Sequence, residues 1–268
     1  MTTVLRYAAF TTDPAGGNPA GVVLDASGLD DQAMQAIATE VGYSETAFLI
    51  ERTVRYFSPK AEVPFCGHAT VATAVALAER IGPGELVFST QAGIVPVTVD
   101  DNLRATLTSV EPSVESVDDV AEALEILGWQ AAEMDPELPP YIAYAGARHL
   151  IVSASTRQRL ADLDYDFDRL LAYMLERDLT TVQLVWRESP TVFHVRDPFP
   201  VGGVVEDPAT GAAAAALGAY LREQSLIPDA TTLTLHQGKD MGRPGQLTVE
   251  LRRNDPRIRV TGTGTRIN

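Results

Sequence analysis

The sequence predicts an α/β chain of two matching halves, on three observations. Cys66-Gly67-His68 opens a run of small apolar residues, Ala69 to Ala78. Thr210-Gly211-Ala212 opens a second run, Ala213 to Leu221, at a constant offset of 144 positions (Gly67 to Gly211, Leu77 to Leu221). Each run is apolar on every side over about ten residues, which on a helix means burial on all faces. Third, the order of strands and helices around the first run is repeated around the second. Both helices would begin where their first amide N–H groups lack partners within the helix and the positive end of its dipole lies. Two such helix starts predict two domains sharing an anion-accepting cleft.

In chain order, Val4 to Phe10 has strand composition and runs into turn-rich Thr12-Asp13-Pro14-Ala15-Gly16-Gly17-Asn18-Pro19, with Ala20 to Leu24 as the return strand of a hairpin. Asp30 to Val41 carries Met34, Ile37, Ala38 and Val41 at helical spacing. Ser44-Glu45-Thr46 precedes a strand at Ala47 to Ile50, with Val54 to Phe57 as its neighbour. After the first buried helix, Glu85 to Phe88, Ile94 to Val99 and Arg104 to Thr108 read as strands. The polar, proline-bearing stretch Val110 to Asp118 reads as the linker, followed by a helix at Val120 to Leu127 and a Pro-rich segment, Asp135 to Pro140. The pattern then restarts: strand Ala147 to Ser153, helix Phe167 to Arg177, strands Thr181 to Trp186 and Thr191 to Val195, the second buried helix, and strands Thr232 to His236 and Leu247 to Leu251. The offset drifts from 128 (Val22 to Leu150) to 144, so the repeat is structural rather than literal. The expected domains are residues 1–112 and 118–257, with 258–268 a terminal strand packing back on the first.

The 268 residues are 45% hydrophobic and carry a net charge of −15. That acidity repels phosphate backbones and anionic lipid, so neither nucleic acid nor membrane is an expected partner. No apolar run reaches the roughly 18 residues of a membrane span. The opening residues show no signal-peptide pattern, and a cytoplasmic protein is expected. The single cysteine excludes an intramolecular disulfide and a cysteine-cluster zinc site. His68, His149, His194 and His236 show no metal-ligand spacing, so no metal is expected.

Several residues are candidates for chemistry. Glu45 beside an apolar strand would be partly desolvated, with a raised pKa suited to moving protons; an exposed or capping role is the alternative. His68, at a buried helix start, would be held neutral and able to donate and accept; a structural role is equally open. Asp207 is read as capping the second helix, as facing His68 across the domain boundary, or as doing both. Cys66, at a helix start that lowers a thiol's pKa, is either a nucleophile or acid/base group or a small packing residue; the second is favoured, because a two-thiol proton relay would need a second cysteine where Thr210 stands. Gly16-Gly17-Asn18-Pro19 lacks nucleotide-loop spacing and is either a hairpin turn or a backbone contact for a small substrate.

Together, Gly16-Gly17-Asn18-Pro19-Ala20, Ser44-Glu45-Thr46, Arg55-Tyr56-Phe57-Ser58-Pro59, Cys66-Gly67-His68-Ala69-Thr70, Glu206-Asp207-Pro208-Ala209-Thr210-Gly211 and Gln237-Gly238 with Gly242-Arg243-Pro244 form a specific set. On these the chain resembles the PhzF-like (phenazine biosynthesis-like) isomerases, of the diaminopimelate epimerase-like fold. The resemblance implies two pseudo-symmetric α/β (α+β) domains, each a β-barrel-like sheet around a central helix, and a homodimer. It implies a cofactor-independent isomerase in which Glu45 moves a proton between carbons of a small cyclic carboxylic or amino acid, assisted by His68 and Asp207. Such a substrate would be similar to trans-2,3-dihydro-3-hydroxyanthranilate. Asn18, Gly67, Gly211 and Ala212 are the implied substrate-binding positions. The family often carries serine where this chain has Ala212, a change that leaves substrate identity open. An amino or imino acid racemase or epimerase, or a non-catalytic protein binding a small carboxylate, are the alternatives.

Overall fold

The computed structural model describes residues 2–117 and 119–268. Two compact units divide the chain, Met1–Thr108 with Thr261–Asn268, and Ser109–Val260. In the first, the elements are β1 (Leu5–Ala9), β2 (Asn18–Val23), α1 (Asp31–Val41), β3 (Glu45–Ile50), β4 (Thr53–Phe57), β5 (Glu62–Val63), α2 (Gly67–Ile81), β6 (Gly84–Thr90), β7 (Gly93–Val99) and β8 (Ala105–Thr108). The second holds β9 (Ser113–Ser116), α3 (Ala121–Leu127), β10 (Tyr141–Tyr144), β11 (Arg148–Ser153), α4 (Arg157–Ala161), α5 (Phe167–Glu176), β12 (Thr181–Ser189), β13 (Val192–Pro198), β14 (Glu206–Asp207), α6 (Gly211–Glu223), β15 (Thr231–Gln237) and β16 (Gly245–Arg252). Strand β17 (Asp255–Gly262) carries the chain back into the first unit, where β18 (Gly264–Arg266) pairs with β1.

Strand pairing shows the repeat directly. In the first unit the run β18-β1-β2-β3-β4-β6-β7 is joined antiparallel, antiparallel, parallel, antiparallel, parallel and antiparallel. In the second, β9-β10-β11-β12-β13-β15-β16 follows the same sequence of senses. The parallel steps at β2–β3 and β11–β12 are bridged by α1 and by α4 with α5, as parallel neighbours require a crossover.

Each sheet curls around one helix. Helix α2 packs against β1, β2, β3, β7, β8 and β18, and α6 against β9, β10, β11 and β16. All of Ala213 to Leu221 is buried, as are His68 to Ala76 and Ala78. Small side chains permit this wrap: a Cβ on Gly218 would lie 2.9 Å from Val249 Cγ1. The outer sheet faces have their own cores. Val23, Phe48 and Phe57 pack with Met34 and Ala38 of α1, and Leu150, Val152, Val182 and Leu184 pack with α3 and α5. Burying each such large side chain contributes roughly 1.5–3 kcal/mol. Asp30 caps α1, its Oδ1 accepting from the Ala33 amide at 2.8 Å, and Gly42 ends it in the left-handed region. Gly17 makes the β1–β2 turn possible: its φ is +53°, and a Cβ there would sit 2.1 Å from Ala9 O.

Four local expectations are corrected. The stretch read as a linker holds β9, paired with β10 through Tyr141↔Ser116 and Tyr144↔Ser113; its last residue, Asp118, lies outside the described residues. A strand at Tyr141–Tyr144 was likewise not anticipated. Strand β3 begins at Glu45, not Ala47, because Glu45 already pairs with Ala20. Helix α4 was not anticipated; Thr156 caps it through the Arg159 amide at 3.1 Å. No helix among the described residues is long and apolar enough to cross a membrane.

Candidate active site

In the first unit, three chain segments converge. Glu45 is the first residue of β3, Asn18 the first of β2, and Cys66 stands immediately before α2 in extended conformation (φ −145°, ψ 116°). That conformation turns the Cys66 side chain back beside His68 in the first helical turn. The Cys66 thiol donates to Glu45 Oε2 at 3.4 Å and lies 3.4 Å from His68 Nδ1. His68 Nε2 is 3.4 Å from Glu45 Oε2 and 3.3 Å from Ser44 Oγ. Asn18 Nδ2 lies 3.1 Å from His68 Nδ1 and, donating there, places the ring proton on Nε2, toward Glu45. The Glu45 side chain is 15% exposed and that of His68 7%. Burial pushes the Glu45 carboxyl above its ordinary 4.5, and hydrogen bonds from Ser44 and Cys66 pull part of the way back. A carboxyl whose proton is held more tightly in this way is suited to taking up and releasing one during a reaction. The Gly67 and His68 amides belong to the first turn of α2, where no intrahelical acceptor exists.

The second unit builds its own constellation at the start of α6. Asp207 lies in β14 and Thr210 is the residue before the helix. Thr210 Oγ1 donates to Asp207 Oδ2 at 2.6 Å, and the Thr210 amide donates to Gln237 Oε1 at 2.9 Å. Gln237 Nε2 donates to the Asp207 carbonyl at 2.8 Å and to Thr210 Oγ1 at 2.9 Å. Gly238 follows at φ +76°, where a Cβ would lie 2.2 Å from Arg243 O and 2.7 Å from Pro208 O. Only glycine lets the Gln237 and Arg243 segments close on Pro208. Strand β14 is anchored by Arg196, whose Nε and Nη2 reach the Glu206 carboxylate at 3.0 and 2.5 Å in a buried pair. Gly211 and Ala212 form the first turn of α6, Ala212 half-buried.

Beneath Asp207 lies a wholly buried polar chain. Asp197 is its strand partner across β13–β14. Thr181 Oγ1 donates to Asp197 Oδ1 at 2.9 Å and stands 2.8 Å from His149 Nδ1. Burial, with Asp207 and Glu206 nearby, holds the Asp197 carboxyl well above the usual carboxylate range, and burial pushes the His149 imidazole down to about 3. Burial thus favours the neutral form of each group.

A model of the phenazine biosynthesis-like proteins (PhzC-PhzF) matches residues 7–268. The chain belongs to the PhzC-PhzF family. It is 30% identical to the uncharacterized isomerase YfhB of Bacillus subtilis, over 98% of this chain and 95% of that one. With the trans-2,3-dihydro-3-hydroxyanthranilate isomerase of Pseudomonas aeruginosa it shares 28% identity, over 97% and 91%. Among solved structures, a Bacillus anthracis phenazine biosynthesis protein of the PhzF family superposes with a TM-score of 0.90 at 28% identity, covering 100% of this chain and 97% of that one. A hydroxyproline epimerase from Agrobacterium vitis shares the fold alone, with a TM-score of 0.66 at 13% identity over 97% and 89%. The chain is an isomerase with the diaminopimelate epimerase-like fold.

Of the positions singled out in the sequence, Asn18, Glu45, Gly67 and His68 gather in the first unit of this PhzC-PhzF protein, and Asp207, Gly211 and Ala212 at the α6 start of the second. Sequence reasoning weighed a chemical role for Cys66 but favoured packing, whereas its thiol touches both Glu45 and His68. It missed Ser44, which adjoins Glu45, and Gln237, which ties Asp207 to Thr210. The Gln237-Gly238 landmark was the available signal for the last.

Proposed function

We propose that the chain moves a proton between two carbons of a small cyclic carboxylic or amino acid, without a cofactor. The single observation that carries this is the largely buried Glu45 carboxyl, held above its ordinary pKa within hydrogen-bonding range of the Cys66 thiol and the His68 ring. Glu45 takes the proton from a carbon activated by an adjoining carboxylated or unsaturated system and returns it elsewhere on the same molecule. His68, with its proton on Nε2, orients the carboxylate and stabilises negative charge as it develops. Amides at the α2 start, Gly67 among them, suit an anionic substrate group, as do those of Gly211 and Ala212 at the α6 start. Asp207 enters the proposal through its place in the Glu206-Asp207-Pro208 motif, held rigid by Thr210 and Gln237. Asn18 fixes the His68 ring.

The substrate named for the Pseudomonas relative is the first candidate, and Ala212, lacking a hydroxyl, favours a variant of it with one fewer polar contact there. A racemase built on two thiols is disfavoured, since Thr210 occupies the position before α6 that Cys66 occupies before α2. A homodimer in the cytoplasm is part of the same proposal. A positioned acid/base contributes roughly 10²–10⁴-fold. Glu45→Gln is expected to fold as the parent does by circular dichroism and to lose activity by about that factor. Turnover in deuterated water is expected to leave part of the substrate's own hydrogen at the new carbon. A folded Glu45→Gln protein that still turns over removes Glu45 from the reaction.

A further inference from the structure

We propose that Glu45, Cys66 and His68 form a three-ligand site for a thiophilic divalent cation, Zn²⁺ above all, and that occupying it shuts off the isomerase reversibly. Within the chain the three residues supply one ligand atom each, all within 4.8 Å of one another. The finer geometry is more telling. Zinc binds thiolate sulfur at about 2.3 Å and imidazole nitrogen or carboxylate oxygen at about 2.0–2.2 Å. With tetrahedral angles, those bonds put S···N and S···O at about 3.5 Å and N···O at about 3.3 Å. Cys66 Sγ lies 3.8 Å from His68 Nε2 and 3.4 Å from Glu45 Oε2, and Nε2 lies 3.4 Å from that oxygen. The three atoms match the edge lengths of one face of a zinc tetrahedron; because Sγ is nearer Nδ1, at 3.4 Å, than Nε2, the His68 ring must turn about its Cβ–Cγ bond to aim Nε2 at the ion.

The charges suit the ion as well. A thiolate and a carboxylate neutralise a divalent cation, and imidazole adds a neutral donor. The α2 N-terminus disfavours a cation by itself but favours the thiolate that binds one. Mixed S, N and O donors select zinc, cobalt or cadmium and reject magnesium and calcium, which require oxygen cages. Three protein ligands leave a fourth position for water, the pattern of an open site. Asn18 completes the arrangement at Nδ1: with metal on Nε2, Nδ1 carries the proton and the Asn18 carbonyl oxygen takes the place of its amide nitrogen. Binding exchanges protons for metal, Cys66–SH plus M²⁺ giving Cys66–S–M and one proton to the buffer, with a second from any protonated Glu45. The bound cation then occupies the carboxylate oxygen. The proposal does not require Glu45 to be the base.

The test is Co²⁺ titration of chelator-stripped protein, followed by absorption. A thiolate-to-cobalt charge-transfer band and tetrahedral d–d bands are expected at one equivalent and to be displaced by Zn²⁺, with proton release measured in weak buffer. Cys66→Ser is expected to abolish the charge-transfer band while keeping the parent's circular dichroism. Asn18→Ala is expected to weaken zinc binding about 10–100-fold, as for lost outer-shell support. His194→Gln, remote from the cluster in sequence and paired with Glu188, is expected to change nothing. Where Cys66→Ser fails to fold, Cys66→Ala and the proton count decide. No charge-transfer band in the parent, or zinc binding unchanged in a folded Cys66 variant, overturns the proposal. Failure of the Glu45→Gln activity test leaves these spectra untouched, so the two ideas are separable.

Discussion

His149 should make the protein acid-sensitive by a calculable amount. Its ring is fully buried, Nδ1 is engaged with Thr181, and Nε2 is buried with no acceptor, so a proton there would place an unpaired charge in the interior. The imidazole therefore stays neutral down to about 3 in the native state against an ordinary 6.5. Between those values the unfolded chain binds a proton that the native one refuses. Stability contributed above pH 6.5 is accordingly lost as pH falls toward 3. At about 1.4 kcal/mol per tenfold change in proton activity, moving from pH 7 to pH 5 costs about 2 kcal/mol from this residue, and pH 4 about 3 kcal/mol. His149→Gln removes the titration and carries a fixed packing penalty. Urea unfolding at pH 7, 6 and 5, followed by circular dichroism, should show the variant less stable at pH 7 and regaining about 2 kcal/mol on the parent by pH 5. Parallel stability curves, or a His149 resonance titrating near 6.5, would refute the reasoning.

Asp197 should act with the opposite sign. Its carboxyl is raised, so the native state holds a proton the unfolded chain releases above 3.8, and stability falls as pH rises through that window. Asp197→Asn, nearly isosteric and still able to accept from Thr181, should gain on the parent as pH rises above 3.8 in the same urea series. A flat difference would mean that Asp197 is ionised in the fold. At Arg196–Glu206 the side chains are only 10% and 4% exposed, so Glu206→Gln should destabilise by about 3–5 kcal/mol, the cost of stranding a buried charge. The double variant Arg196→Met with Glu206→Leu should recover most of that in thermal unfolding. Equal losses in single and double variants would show that the pair's packing, not its charge, matters.

The repeat sets two differently built polar clusters at matching places in the two units. Matching the strand runs sets Glu45, paired with Ala20 at the β2–β3 step, against Thr181, paired with His149 at β11–β12. Cys66 before α2 stands against Thr210 before α6. One unit keeps a slightly exposed carboxyl beside a buried thiol, while the other buries a chain of His149, Thr181 and Asp197. Duplication thus preserved the scaffold and let the chemistry diverge.

By itself the sequence determined the buried helices α2 and α6, the Gly17 hairpin, helix α1 and a doubled α/β plan. These follow from local rules, because a run of small apolar residues or a turn-forming segment states its environment within a few neighbours. Only the tertiary structure decided that Ser113–Ser116 is a strand. Polar on both faces, it reads as linker, and its pairing with β10 comes from residues more than twenty positions away. The same holds for Cys66. Nothing near it in the chain announces Glu45, which lies 21 residues earlier, and the two meet because β3 and α2 pack together. Side-chain clusters that join separate elements depend on how those elements cross, and no local pattern encodes that angle.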